Sequence, residues 1–398
     1  MTPTIVVVGI GADGVGGLSP ESLRELRRAT VIYGSPRQLE LLGDADDSIS
    51  APRRCWPSPM LPALQTLLAD APGDVHVVAS GDPLLHGIAG RLVALYGAES
   101  VRVLPHVSSV TLACARLGWA GQDTEVISLV TAPAHTAVRR GGQAVVLCRD
   151  RNTPAALAAI LTETGCGASE FTVLEQLGGP RERIRTGRAD AWAAEPATDL
   201  DDLSVIAVRY LPERRVGQVL PDDVFGHDGQ ITKQSVRAVT LSALAPRPGE
   251  MLWDVGSGSG SIAVEWCRSA RGCRAVAFEV DAARRGRIAA NARAFGCDIE
   301  VRGPAPGDFD GAAPPDAIFI GGGLSTENLL DECLARINGG GRLVVNAVTA
   351  ESEAILVQRH SRLGGELARF QHYRGEPLGG FTGWRPAMPI TQWVVSPG

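Results

Sequence analysis

An acid precedes a run of alternate glycines in Asp254-Val-Gly256-Ser257-Gly258-Ser259-Gly260, and a second acid, Glu279, ends the next strand-like run. Glycine at every second position lets the backbone turn sharply and approach a ligand at the carboxyl edge of a parallel sheet. The spacing separates two ligand classes. A dinucleotide loop reads G-x-G-x-x-G, because its helix must begin where a pyrophosphate sits. Here the pattern is D-x-G-x-G-x-G, a loop built for a ligand without pyrophosphate. Asp254 offers a carboxylate to a cationic amino group, and Glu279 offers one to a pair of ribose hydroxyls. That combination fits S-adenosyl-L-methionine.

A second loop, Gly9-Ile-Gly11-Ala-Asp13-Gly14, satisfies the dinucleotide pattern literally. Its confirming acid is missing, because the next strand-like run ends in Tyr33-Gly34-Ser35. The helix behind it also starts late, with Ser19 as N-cap and Pro20 at the first helical position. More chemistry stands in Ser80-Gly81-Asp82-Pro83, running on to Gly87, and in Pro105-His106-Val107-Ser108-Ser109. Asp82 reads either as a ligand contact or as a turn former before Pro83, and His86 and His106 as hydrogen-bonded structural residues. Arg37 reads as a carboxylate clamp or as a solvated arginine. Thr232, ahead of the third glycine-rich stretch, suits a helix N-cap as well as a ligand contact.

The elements that must position these residues alternate as in parallel α/β domains. Strands are expected at 5–8, 31–33, 75–79, 101–104, 144–148, 171–174 and 204–208, with helices at 20–29, 61–68, 87–96 and 154–162. A second series follows: a helix at 233–244 and strands at 251–255, 275–279, 317–320, 343–346 and 391–395. A length of 398 residues suits two domains. The net charge of −6 argues against a nucleic-acid partner. Lys233 is the only lysine, so a basic surface must be built from arginine, which pairs well with carboxylates. Eight cysteines without a CxxC pair predict no metal site and no disulfides, in keeping with a cytoplasmic setting. No apolar run has membrane-spanning length, and no signal-peptide pattern opens the chain.

The segment 228–398 resembles the class I methyltransferases, a Rossmann-like fold. Gly229-Gln-Ile-Thr232-Lys-Gln-Ser-Val-Arg237, Leu-Trp-Asp-Val-Gly256 and Phe-Ile-Gly-Gly-Gly323 are similar to the decarboxylating cobalamin-pathway methyltransferases that alkylate C15 of precorrins. The segment 1–212 resembles the tetrapyrrole methylase family, whose cofactor lies between two α/β subdomains. Gly34-Ser-Pro-Arg37, Trp56-Pro-Ser-Pro59 and Leu177-Gly-Gly-Pro-Arg-Glu-Arg-Ile184 point to members that methylate C5. Residues 213–227 are expected as a linker. The resemblance implies cofactor contacts at Gly9, Gly11, Gly81, Asp82, Pro83, Gly87, Ser108 and Ser109 in the first domain. In the second it implies Thr232, Asp254, Gly256, Ser257, Gly258, Ser259, Gly260 and Glu279. Pro304 stands where that family usually has an acid near the adenine, so backbone at Ala305 is expected to serve instead. Ser128-Leu-Val-Thr131 departs from the Ser-Leu-His-Gly-type segment of the first family, which puts one substrate contact in doubt. The implied partner is a small-molecule corrinoid precursor, with self-association into a homo-oligomer and no membrane. No catalytic residue is assigned: a sulfonium methyl is already activated and needs mainly alignment, and the sequence names no donor for a proton in the decarboxylation. An RNA methyltransferase, an oxidoreductase using Gly9–Gly14 and a non-catalytic sensor of S-adenosyl-L-methionine are the alternatives.

Overall fold

The first strand of the chain, β1 (Ile5–Ile10), is buried along its whole length, and its side chains divide by parity. Val6, Val8 and Ile10 pack with Leu26, Leu39 and Leu42 on one face. Ile5 and Val7 pack with Leu64, Ala89 and Leu92 on the other. A strand covered on both faces belongs at the centre of a parallel sheet. The computed structural model, which describes residues 4–43, 49–67, 73–212 and 219–396, places it there.

The chain forms two compact units, Met1–Pro212 and Glu213–Gly398. The first unit holds two sheets. One contains β1, β2 (Ile32–Gly34), β3 (Arg53–Cys55), β4 (Val75–Ser80) and β5 (Val101–Leu104), in the order β3-β2-β4-β1-β5. All its pairings are parallel. The other contains β6 (Glu125–Ser128), β7 (Gln143–Leu147), β8 (Glu170–Glu175), β9 (Arg183–Arg188) and β10 (Ser204–Arg209), in the order β6-β7-β10-β8-β9. Only its β6–β7 pair is parallel.

The second unit is built on one sheet of β11 (Met251–Val255), β12 (Arg274–Phe278), β13 (Ile299–Arg302), β14 (Ala317–Ile320), β15 (Arg342–Ala347), β16 (Glu366–Phe370) and β19 (Ile390–Val395). Its order is β13-β12-β11-β14-β15-β19-β16, with β19 antiparallel to both neighbours. The connections run outward from β11 through β12 to β13 and then return to its other side at β14. That reversal opens a crevice at the carboxyl ends of β11 and β14, where such sheets bind ligands. Trp253, Phe278 and Phe309 pack beneath it, with ring centroids 4.6 to 5.2 Å apart. A separate hairpin of β17 (Tyr373–Leu378) and β18 (Phe381–Pro386) completes the unit.

Several expected elements shift. The helix expected at 61–68 spans Met60–Gln65, and residue 68 lies outside the described residues. Of the segment expected as a linker, 213–218 lie outside the described residues, and the rest is built into the second unit. Leu220 and Phe225 are buried with Val264, Ala292 and Cys297. No described helix is long and apolar enough to cross a membrane.

Candidate functional site

In the second unit, the loop after β11 turns on three left-handed glycines, Gly256 (φ 68°), Gly258 (φ 61°) and Gly260 (φ 75°). A Cβ on Gly256 would stand 2.7 Å from the Gly322 carbonyl oxygen, so the β11 and β14 loops can meet only through glycine. A cavity of about 570 Å³ opens over this floor. Gly256, Ser257, Gly258, Glu279, Ala305 and Thr232 line it, as do Gln230, Arg284, Pro304 and Gly321–Gly323. Glu279, directly after β12, is 5% exposed and is held by two backbone donors, Gly258 N–H at 2.8 Å and Asp281 N–H at 3.0 Å.

Asp254, Ser259 and Gly260 lie outside the cavity lining. Asp254 is buried under the loop, where Oδ2 accepts from the Ser257 hydroxyl at 2.7 Å and from Ala263 N–H at 3.2 Å. Oδ1 has no hydrogen-bond partner among the described residues. Burial pushes this carboxyl up to about 6, against the two hydrogen bonds that favour its charge. Ser259 presents its carbonyl to Asn291 Nδ2 at 2.8 Å, and Gly260 makes room for Ile288 as the next helix starts.

Thr232 lines the cavity but does not cap the helix Gln234–Leu244. The capping position is Lys233, which makes no side-chain cap and instead sits 3.8 Å from Asp222. The Thr232 carbonyl accepts from Arg237 Nη1 at 2.5 Å. Arg237 is fully buried, also reaches Asp222 at 2.7 Å, and ties residues 220–232 to its own helix.

In the first unit a cavity of about 390 Å³ is enclosed by loops after β1, β2, β4 and β5 together with side chains of the second sheet. Gly11, Gly81, Asp82, Gly87, Ser108 and Ser109 line it, while Gly9 and Pro83 do not. Gly9 is a packing glycine: a Cβ there would lie 2.2 Å from the Gly81 carbonyl oxygen and 2.5 Å from His106 N. Pro83 is buried and its carbonyl accepts from Ala89 N–H, starting the helix Ile88–Tyr96. Asp82 forms the expected turn, its carboxylate accepting from Leu84 N–H at 2.9 Å, and it also lines the cavity. Ser108 caps the helix Ser109–Leu117 by accepting from Thr111 N–H.

His106 is anchored, with Nε2 3.0 Å from Asp13 Oδ1 and Nδ1 accepting from Val107 N–H at 2.6 Å. His86, held at φ 54°, lines the cavity. So do Ser80 and residues whose part in the site went unremarked in the sequence: Ser35, Gln38 and, in the departing segment, Val130. Leu147, Leu174 and Val205 supply the apolar wall. Cys148 lies among them, but burial pushes its thiol up to about 12, which keeps it un-ionised and a poor nucleophile. No group of three or more His, Cys, Asp or Glu side chains among the described residues could hold a metal ion.

The family model described as tetrapyrrole (corrin/porphyrin) methylases matches residues 4–192, and the one described as precorrin methyltransferase domain matches residues 223–397. Over 392 residues the chain is 64% identical to the precorrin-6Y C(5,15)-methyltransferase (decarboxylating) of Mycobacterium tuberculosis, covering 98% of this chain and 99% of that one. The chain belongs to the precorrin-6Y C5,15-methyltransferase family. Members of this family, this chain included, are enzymes that use S-adenosyl-L-methionine as methyl donor. Two relatives resemble parts of this precorrin-6Y C5,15-methyltransferase family member. The cobalt-precorrin-6B C(15)-methyltransferase (decarboxylating) of Salmonella typhimurium is 29% identical over 179 residues, covering 43% of this chain and 92% of its own. The cobalt-precorrin-7 C(5)-methyltransferase of the same organism is 28% identical over 211 residues, covering 53% of this chain and 100% of its own.

Proposed function

We propose that the chain methylates a precorrin twice in cobalamin biosynthesis, residues 1–212 at C5 and residues 228–398 at C15, the second with loss of the C12 acetate carboxyl as carbon dioxide. One observation carries the division of labour: each unit has its own cavity at the carboxyl ends of parallel strands, lined only by that unit's residues. The half-length relatives support it, since 211 matched residues fit a unit running from Met1 to Pro212 and 179 fit one running from Glu213 to Gly398.

The residues present fit the methyl donor. In the second unit the left-handed loop at Gly256 and Gly258 presents bare backbone to a nucleoside, with Glu279 at the edge for the ribose hydroxyls. Thr232 and the backbone at Ala305 close the two ends. In the first unit the backbone at Gly11 and Gly81–Asp82, with Ser108 and Ser109 opposite, forms the corresponding cradle. When bound, S-adenosyl-L-methionine supplies an activated methyl group that a nucleophilic ring carbon takes in line. The chain's residues then act by alignment and by excluding water, which suits walls of glycine, leucine and valine. No acid–base pair is assigned. The electron pair freed by decarboxylation is taken up by the conjugated macrocycle, and one proton then completes the methyl group left at C12, with no residue assigned as its donor.

Incubation with the precorrin and excess donor is expected to give a product heavier by two methyl groups and lighter by one carbon dioxide, read by mass spectrometry. An unchanged substrate mass overturns the reading. Self-association belongs to the same proposal: Leu378, Phe381 and Trp384 on the β17–β18 hairpin are 68%, 83% and 76% exposed, more apolar surface than one hairpin ordinarily leaves in water. Sedimentation velocity is expected to show more than one chain per particle.

A further inference from the structure

Arg37 follows β2 in the short helix Pro36–Glu40 and lines the first unit's cavity. It is half-buried, burial lowers its proton affinity, and it forms no ion pair with any described residue. A guanidinium has five N–H donors, yet among the described residues the only side-chain hydrogen bond of Arg37 runs from Nη2 to the Ser80 hydroxyl at 2.7 Å. The Asp201 carboxylate favours its charge from a distance without pairing with it, and a partly desolvated cation compensated only in this way is costly unless a ligand completes it.

Ser80 gives a second, independent sign. Its oxygen also accepts from Gln38 Nε2 at 3.0 Å. The Gln38 amide cannot turn over, because its Oε1 accepts from Ser35 N–H at 2.8 Å in the helix capping box. A serine hydroxyl has two acceptor sites and one proton, so with both acceptor sites filled the proton is left to be donated elsewhere. Ser80 is exposed at the end of β4 and lines the same cavity. Two donors, one cationic and one neutral, thus stand side by side and match the two oxygens of a carboxylate. Trp56, stacked on Tyr33 with centroids 5.1 Å apart, lines the cavity beside them and offers a flat apolar face.

We propose that Arg37 and Ser80 form a cradle for a side-chain carboxylate of the precorrin, fixing the macrocycle for methylation in the first unit. This rests on the assignment of the C5 step to that unit. The methionine end of the methyl donor carries the same chemical group, and the test separates the two sources. In the full-length enzyme, Arg37→Gln is expected to raise the precorrin KM of the C5 step about 10- to 100-fold, the usual scale for a hydrogen bond to a charged group. The donor KM of that step and the whole C15 step stay unchanged. The wild type's preference for the free acid over its methyl ester is expected to collapse in Arg37→Gln, a change that a structural role for Arg37 does not produce. Ser80→Ala is expected to give a smaller rise in the same direction. A raised donor KM with an unchanged precorrin KM assigns the carboxylate to the cofactor and overturns the proposal, as does a variant with both constants unchanged. Should Arg37→Gln misfold, Arg37→Lys is read in its place, with the ester preference retained only in part. Loss of the C15 step instead of the C5 step overturns the division of labour, separately from the cradle.

Discussion

Two glycine-bearing loops after buried parallel strands do different work in the two units. In the second unit the loop is the cavity floor, with Gly256 and Gly258 lining it in left-handed backbone and Asp254 buried beneath. In the first unit the first glycine of the pattern, Gly9, lies within β1 and behind the cavity, where it lets the loops after β4 and β5 close on the strand. There the lining is shared among several loops and a second sheet. Both glycines let neighbouring backbone approach, but Gly256 also lines a cavity and Gly9 does not, and only the three-dimensional neighbours tell the two apart.

The sharpest way to break this contrast is a methyl group at each position. Gly9→Ala drives a Cβ into two backbone atoms and is expected to destabilise the first unit by several kcal/mol, on the scale of severe overpacking, ~3 kcal/mol or more. Calorimetry should show that unit's transition lowered or lost and C5 methylation gone, while the second unit still binds S-adenosylhomocysteine. Gly256→Ala is expected to push back the loop at Gly322 and to weaken S-adenosylhomocysteine binding in the second unit about 100-fold, at a smaller cost in stability. Titration should then count one bound ligand per chain in place of two. If both variants fail only by unfolding, the contrast collapses.

A smaller effect sharpens it through pH, because burial shifts a carboxyl in one unit and an imidazole in the other. Asp254 is raised to about 6 in the folded unit by burial, above its unfolded value near 3.8. Its contribution to stability is therefore full below pH 4 and is lost as pH rises through 6, at about 3 kcal/mol for about two units. Asp254→Asn is expected to remove that dependence from urea unfolding of the second unit. His76 in the first unit is lowered by burial, against the nearby Glu25 carboxylate 3.4 Å away. Its contribution is present above pH 6.5 and fades as pH falls through the folded value. Mild acid should thus weaken the first unit through His76 while relieving the second through Asp254, and His76→Gln should flatten only the first response.

The sequence was readable where local backbone demands a residue type. Left-handed turns at Gly256, Gly258 and Gly260 leave glycines in a fixed rhythm, and Ser19-Pro20 marks a helix start that the structure keeps, with Ser19 accepting from Ser22 N–H. It was less readable where partners come from afar. Every residue of β11 is buried, so no polarity pattern shows that Asp254 points beneath the loop rather than at a ligand. Arg37, Gln38 and Ser80 meet only because β2 and β4 are neighbours in a sheet whose order is not the chain order. Strands β9, β17 and β18 went unseen because they are largely exposed and carry Arg183, Arg185, Arg374 and Arg385 in place of an apolar alternation.

Lys233 has a practical consequence outside catalysis. It is the only side-chain amine in 398 residues, it is 45% exposed, and it adjoins Thr232 at the rim of the second cavity. Amine-directed labelling thus has a single side-chain address, and a fluorophore attached there becomes a reporter for events in one unit of an enzyme that has two.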